Sequence, residues 1–161
     1  MIDLDGDGIE TVSQSQSGVH FDLNGDYFAE STGWVSADDG FAVRDVNGNG
    51  RIDDISEMFG GPDRSGFGDL AALDGNHDGV ITLADAQFAS LRIWRDLDGD
   101  GITDAGELST LAESNIASLS TGKTAQNFDT PQGTHIFAKG NDGTGFPEAG
   151  NDNQSPLEFA A

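Results

Sequence analysis

The first half of the chain alternates short apolar and polar runs with the period of β-strands. Alternation over residues 19–21 predicts one short strand. The segment 33–45 predicts two apolar strands joined by a turn at residues 38–40, where Asp-Asp-Gly is a strong turn signal. Trp34 and Phe41 would then pack into the core.

The second half has apolar residues at helical spacing. It predicts an incoming helix over residues 67–73, a second helix over 85–94 and a final amphipathic helix over 107–116. Alternation over residues 134–137 predicts a hairpin, followed by a poorly ordered tail. These elements together predict an α+β fold, with short helices in the second half and small hairpins in the first half and the C-terminal tail.

Five acidic, glycine-punctuated loops lie between these elements, and they begin at Asp3, Asp22, Asp45, Asp74 and Asp96. The fifth has carboxylates at loop positions 1, 3, 5, 9 and 12, with a glycine at position 6 that permits a sharp turn. This is the ligand spacing of an EF-hand loop, which binds calcium through oxygen atoms. The loop starts have no constant spacing, which excludes a regular glycine-rich β-roll. We therefore predict three to five bound Ca²⁺ ions.

The predicted ligands are side-chain oxygens at alternating positions, the main-chain carbonyl at position 7 and any later carboxylate that can close the loop. They are Asp3, Asp5, Asp7 and the Ile9 carbonyl in loop one; Asp22, Asn24, Asp26, the Phe28 carbonyl and Glu30 in loop two; Asp45, Asn47, Asn49, the Arg51 carbonyl, Asp53 and Glu57 in loop three; Asp74, Asn76, Asp78, the Val80 carbonyl and Asp85 in loop four; and Asp96, Asp98, Asp100, the Ile102 carbonyl, Asp104 and Glu107 in loop five.

Loops one to four depart from the standard pattern. Loop one has Gln14 at position 12, so its closing carboxylate must come from elsewhere. Loop two has Tyr27 where glycine is expected, which leaves open whether it holds metal by itself. Loop three has Glu57 at position 13, so either its closing turn is wider or Asp54 serves instead. Asp85 closes loop four with a shorter side chain than glutamate, which predicts weaker binding.

The charge balance supports a role for cations. The chain has 29 acidic and 7 basic residues and a net charge of −22. Two carboxylates held about 4 Å apart repel by roughly 4 kcal/mol at an effective dielectric constant near 20, so empty loops should open. This charge argues against a nucleic-acid partner. The chain contains no cysteine, which excludes disulfides and thiolate zinc sites, and no apolar run is long enough to span a membrane. We expect a monomer.

A Gly/Pro-rich stretch over residues 60–68 interrupts the pattern and predicts a boundary. We therefore expect an N-terminal lobe over 1–60 with three calcium loops and short strands. A helical, EF-hand-like lobe with two calcium loops would follow over 61–120, and a C-terminal hairpin with a flexible tail over 121–161.

Five sequence blocks resemble the calcium-binding self-processing module of secreted bacterial RTX proteins, the group that contains the meningococcal FrpC-like proteins. The blocks are DLDGDGIET, GWVSADDGF, DVNGNGRIDD, LDGNHDGVI and LRIWRDLDGDGI, and they cover about residues 2–120. The GWVSADDGF turn and the LRIWRD helix end have no evident metal-ligand reason to recur, which makes the resemblance more specific than an EF-hand pattern.

The resemblance implies cleavage of an Asp-Pro bond just before loop one, triggered by Ca²⁺. The activated aspartate is then captured by a lysine of an acceptor protein as an isopeptide link. It also implies secretion, or display at the bacterial cell surface, within a larger protein that supplies upstream and downstream segments. The proton donor for the cleavage is not assigned.

This chain contains no Asp-Pro sequence, because Pro62, Pro131, Pro147 and Pro156 follow Gly, Thr, Phe and Ser. As given, it cannot cleave itself. We expect the scissile bond to lie just upstream, and a member kept only for calcium binding is the other reading. A non-catalytic, dockerin-like interaction module is the alternative function. The scattered His20, His77 and His135 do not suggest conventional catalysis.

Overall fold

The computed structural model describes residues 1–61 and 64–122, together with the strands at 127–129 and 135–137. The described part of the chain is mainly β, built from many very short strands. In chain order its elements are β1 (Thr11–Val12), α1 (Gln14–Ser17), β2 (His20–Phe21), β3 (Glu30–Ser31), β4 (Trp34–Val35), β5 (Phe41–Val43), a 3-10 turn (Ile55–Glu57), α2 (Gly66–Ala71), β6 (Val80–Ile81), a 3-10 turn (Phe88–Ser90), β7 (Arg92–Trp94), β8 (Leu108–Thr110), β9 (Leu119–Ser120), β10 (Asn127–Asp129) and β11 (His135–Phe137).

The named strands pair antiparallel in small sheets. A three-stranded sheet has the order β5-β7-β8, so β7 is its central strand. The other pairs are β1 with β4, β2 with β3, β6 with β9, and β10 with β11. Loop two directly connects the paired strands β2 and β3, and loop five connects β7 and β8.

The predicted α+β class is wrong, and the helix predicted over residues 85–94 is the main reason. That segment forms a 3-10 turn, Phe88–Ser90, and then β7. The central strand β7 is buried on both faces, with Ile93 and Trp94 both fully inaccessible to solvent. A strand buried on both faces has a continuous apolar run, which periodicity alone cannot separate from a buried helix.

The final helix predicted over residues 107–116 is also wrong. Its first part is β8, which pairs with β7, and a turn follows in which the Ile116 N–H donates to the Leu111 carbonyl at 2.7 Å. The turn brings these two apolar residues into the same cluster at a spacing that resembles a helix. The incoming helix is present as α2, where the Ser65 side chain accepts the N–H of Gly68 as an N-cap.

The two apolar strands predicted within 33–45 exist as β4 and β5, but they do not pair with each other. β4 pairs with β1 and β5 pairs with β7. The intervening turn is present, and the Asp39 N–H donates to the Ser36 carbonyl at 3.1 Å. Asp39 is fully buried, so this turn packs into the interior. The two strands that flank it belong to different sheets.

Two hydrophobic clusters form the core, and β7 contributes to both. Ile93 belongs to a mainly aliphatic cluster with Leu70 and Ile81, whereas Trp94 belongs to a cluster built around aromatic rings. In the aromatic cluster the rings of Trp34 and Trp94 meet edge to face, with centroids 5.5 Å apart. Such a pair contributes roughly 0.5–1.5 kcal/mol beyond its buried area.

The division into three parts stays a prediction, and Pro62 within the expected boundary lies outside the described residues. Ile2 packs in the aliphatic cluster, which is otherwise formed by residues 70–119. A hairpin of β10 and β11 is present where alternation predicted one, and the tail beyond 137 lies outside the described residues. Within the described part of the chain, no helix is long and apolar enough to cross a bilayer.

Candidate metal centres

The first aspartate of each loop anchors the main chain around its carboxylate. In all five loops, Oδ2 of this aspartate accepts the N–H of the residue at position 6, at 2.7–3.0 Å. In four loops, Oδ1 also accepts the N–H at position 4, at 2.6–2.8 Å. The sequence therefore specifies this turn locally, because one aspartate organises the five residues that follow it.

Positions 4 and 6 adopt a positive φ in every loop, which explains the repeated glycines. Two side chains occupy these positions in place of glycine. Tyr27 holds position 6 of loop two at φ 71, and His77 holds position 4 of loop four at φ 59. Loop two therefore keeps the same turn as the others, although it lacks the expected glycine.

A second carboxylate closes loops two to five by accepting the N–H at position 2. The closing residues are Glu30, Glu57, Asp85 and Glu107, at distances of 3.0, 3.0, 2.9 and 2.7 Å. In loop three this settles which acid closes the loop, because Glu57 is buried and Asp54 instead accepts the N–H of Ser56.

Loop one is closed by Asp39, a residue that sequence reasoning missed. Its Oδ1 accepts the Leu4 N–H at 3.2 Å and its Oδ2 accepts the Glu10 N–H at 2.8 Å. Leu4 holds position 2 of loop one, so Asp39 takes the place of the closing carboxylates in the other loops. The Asp-Asp-Gly turn motif, which contains Asp39, was the sequence signal that could have pointed to it. The GWVSADDGF block therefore has a structural role in this chain, because its Asp39 holds the main chain of loop one.

The predicted ligands of loop five converge. Oxygen atoms of Asp96, Asp98 and Glu107 lie within 4.8 Å of one another, and so do those of Asp98, Asp100 and Asp104. Asp96 and Glu107 are buried, with 0% and 4% of their surface exposed. Burial, together with the neighbouring carboxylates, raises the pKa of Asp98. This is the electrostatic state expected where acidic groups converge without a counter-charge.

Loop one shows the same convergence among Asp3, Asp5 and Asp39, whose oxygens also lie within 4.8 Å of one another. Burial raises the pKa of Asp39 despite its two backbone donors. A hydrogen bond to Asp5 raises the pKa of Asp7, which lies next to this group. Two of the predicted side chains of loop one, Asp3 and Asp5, therefore face the same small volume as the buried Asp39.

In loops two to four, asparagine amides donate hydrogen bonds to the neighbouring carboxylates. Asn24 donates to Asp26 and Glu30 at 3.2 and 3.1 Å. In loop three, Asn47 and Asn49 both donate to Asp53. The partners in loop four are Asn76 and Asp78, 2.9 Å apart.

The predicted carbonyl ligands at position 7 of loops two to five are fixed through their own N–H groups. Each N–H donates to the side chain at position 5, at 2.7–3.0 Å; the residues are Phe28, Arg51, Val80 and Ile102. The described bonds do not fix the Ile9 carbonyl of loop one in this way. Across all five loops the available donors are carboxylate, amide and carbonyl oxygens, and this set suits a hard divalent cation such as Ca²⁺.

The loops are fastened to one another as well as to the core. The Ile52 N–H of loop three donates to the Thr103 hydroxyl of loop five at 3.0 Å. Gly101 of loop five lies so close to Val19, before loop two, that an added Cβ would sit 2.5 Å from its Cγ1. Loops two, three and five therefore meet on one side of the molecule.

Two comparisons place the chain among known proteins. The sequence model of the SPM domain family matches residues 1–145. Iron-regulated protein FrpA of Neisseria meningitidis serogroup C is 50% identical over 127 residues, which is 73% of this chain and 11% of FrpA. The chain thus spans about a tenth of the length of this relative.

Proposed function

Because the chain belongs to the SPM domain family, we propose that it is a calcium-binding, self-processing module of a larger secreted bacterial protein of the RTX type. The observation that carries the calcium part is the repeated closure of the loops. In each of the five, an aspartate at position 1 and a second carboxylate hold the loop main chain from both sides. The ligands are the side chains and position-7 carbonyls named from the sequence, with Asp39 added to loop one.

Calcium would supply a large share of the folding free energy. A site whose Kd lies about a hundredfold below the ambient concentration adds roughly 2.7 kcal/mol of stability. Three to five such sites would provide much of the 5–15 kcal/mol that typifies a folded domain. The chain would stay unfolded at the low calcium of a bacterial cytosol and fold after export, which suits a secreted protein.

Self-processing would act on an Asp-Pro bond in a segment upstream of residue 1. A carboxylate oxygen of that aspartate attacks the carbonyl carbon of its own residue, and the bond to the proline nitrogen breaks. The proline nitrogen takes up a proton from water or from an acidic group and leaves as a secondary amine, and the aspartate remains as a cyclic anhydride. Water opens the anhydride to an acid, or a lysine amine of an acceptor protein opens it to an isopeptide bond.

This chain would contribute to the cleavage by positioning the main chain next to the scissile bond. Ile2 and Gly40 exchange two backbone hydrogen bonds, at 2.7 and 3.1 Å, and Asp39 beside Gly40 closes loop one. Closure of loop one therefore fixes the main chain directly next to the expected scissile bond. This arrangement accounts for a calcium trigger, since holding a reacting group in one geometry can lower its barrier by several kcal/mol.

The dockerin-like alternative has no observation in its favour. Such a module presents a helix after each of its paired loops. In the part of the chain that the structure describes, loop four is followed by a 3-10 turn and loop five by β8.

The experiment that tests this proposal adds an Asp-Pro bond upstream of the chain. The chain is extended with an upstream segment that ends in Asp-Pro, and a matched chain carries Asn-Pro, which lacks the attacking carboxylate. Mass spectrometry should find two fragments from the Asp-Pro chain after calcium addition, and none in chelator or from the Asn-Pro chain. If the Asp-Pro chain binds calcium but stays intact, the self-processing part of the proposal is refuted and only calcium binding remains.

A further inference from the structure

Loop two carries an exposed aromatic side chain at a costly position. Tyr27 has φ 71, and the equivalent residue of the other four loops is a glycine. A bulky residue in this left-handed region costs roughly 1–2 kcal/mol relative to glycine. Tyr27 recovers nothing by burial, because 93% of its surface is exposed, and the next residue, Phe28, is 75% exposed. Neither stability nor the turn itself accounts for a tyrosine here.

Tyr27 lies on the wall of a surface groove of about 560 Å³, formed where loops two, three and five meet. We name it the hairpin groove; its walls include Tyr27, Ala29, Arg51, Asp54, Ile102 and Thr103. This volume lies within the range of pockets that bind ligands. The groove therefore combines an exposed ring with apolar and charged walls, as binding surfaces do.

The negative charge of the hairpin groove favours a cationic occupant. Three carboxylates line it, those of Asp22, Asp53 and Asp54, against the single guanidinium of Arg51. Loops two and three each have three carboxylates among their predicted ligands, so one divalent cation in each would leave one negative charge per loop. Asp54, outside the ligand sets, adds a third negative charge against Arg51. The whole chain has a net charge of −22, which also attracts cationic partners.

We propose that the hairpin groove binds an arginine-containing basic peptide segment of a partner protein. A guanidinium stacks on the face of Tyr27, and a second basic group pairs with Asp54. Arginine suits this position better than lysine, because its planar group stacks on aromatic rings and also pairs with carboxylates.

The test uses the full chain in calcium-containing buffer and a fluorescein-labelled peptide of alternating arginine and serine. Fluorescence anisotropy measures the affinity for this peptide and for a lysine–serine peptide of equal charge. The arginine peptide should bind more tightly. Tyr27→Gly should weaken its binding about fivefold, the equivalent of one exposed cation–π contact. Asp54→Asn should weaken binding and reduce its dependence on salt.

Tyr27→Gly is a clean variant, because glycine is the residue that the other loops use at this position, and circular dichroism of the same samples checks their folding. Leu83→Ser is the matched control, since Leu83 is 86% exposed in loop four and does not line the groove. Equal affinity of the parent and Tyr27→Gly would reduce the binding to non-specific attraction and overturn the proposal. Absence of binding, or a Tyr27-dependent dimer in sedimentation velocity, would also overturn it.

Discussion

Replacing Asp39 with asparagine should disable loop one while leaving the rest of the molecule folded. The change keeps the size of the side chain and removes its charge. Asp39 accepts the N–H groups of Leu4 and Glu10 through its two oxygens, and it is fully buried. An asparagine has one acceptor oxygen, so its NH₂ group would face one of these backbone donors.

The cost follows from those two bonds. A hydrogen bond to a charged group contributes about 1.5–3 kcal/mol, against about 0.5–1.5 kcal/mol for a neutral one, and a buried donor without a partner costs about 1–3 kcal/mol. Asp39→Asn should therefore destabilise the calcium-saturated chain by about 2–4 kcal/mol. Urea unfolding at saturating calcium measures this loss, and isothermal titration calorimetry should find one calcium equivalent fewer.

Glu113→Gln is the matched control, because it also removes one negative charge without a change of size, and Glu113 lies outside the five loops. Its carboxylate accepts the Thr110 N–H and hydroxyl at 2.8 and 2.7 Å. This variant should keep every calcium equivalent. If Asp39→Asn instead binds as many ions as the parent and unfolds at the same urea concentration, Asp39 does not close loop one.

Three further predictions test other parts of the molecule. Gly101→Ala should destabilise the chain more than Gly99→Ala in urea unfolding, by at least about 1 kcal/mol, because both have a positive φ but only at Gly101 would the new methyl meet Val19, at 2.5 Å. Tyr27→Gly should raise the unfolding free energy by about 1 kcal/mol, and a loss of stability would contradict the strain assigned to φ 71. Glu107→Gln should cost one calcium equivalent in calorimetry, since Glu107 closes loop five through the Leu97 N–H at 2.7 Å; unchanged stoichiometry would refute this.

The loops could be predicted from the sequence because their geometry is local. An aspartate binds N–H groups three and five residues ahead of it, and glycine supplies the positive φ between them. The short strand at residues 20–21, the turn before Gly40 and α2 were found for the same reason, since their signals lie within a few neighbouring residues.

The helix predictions were wrong where the secondary structure depends on residues that are distant in the sequence. The segment Arg92–Trp94 is a strand because β5 and β8 pair with its two edges, and no local signal records those neighbours. Closure of loop one was missed for a similar reason. Its carboxylate comes from a residue 35 positions beyond Leu4, so no loop template contains it.

These same distant contacts make the loops one structural unit. The turn that carries Asp39 is held against β7, because an added Cβ on Gly40 would lie 2.8 Å from the Trp94 carbonyl, and Arg95 donates to the Ala37 carbonyl at 3.1 Å. Loop five begins directly after Arg95, so the segment that closes loop one rests on the strand that leads into loop five. Loss of order in loop five should therefore loosen loop one and the main chain at Ile2, although no predicted ligand is shared between them. Under the proposed function, such coupling would tie an upstream cleavage to the folding of the whole module and not to one bound ion.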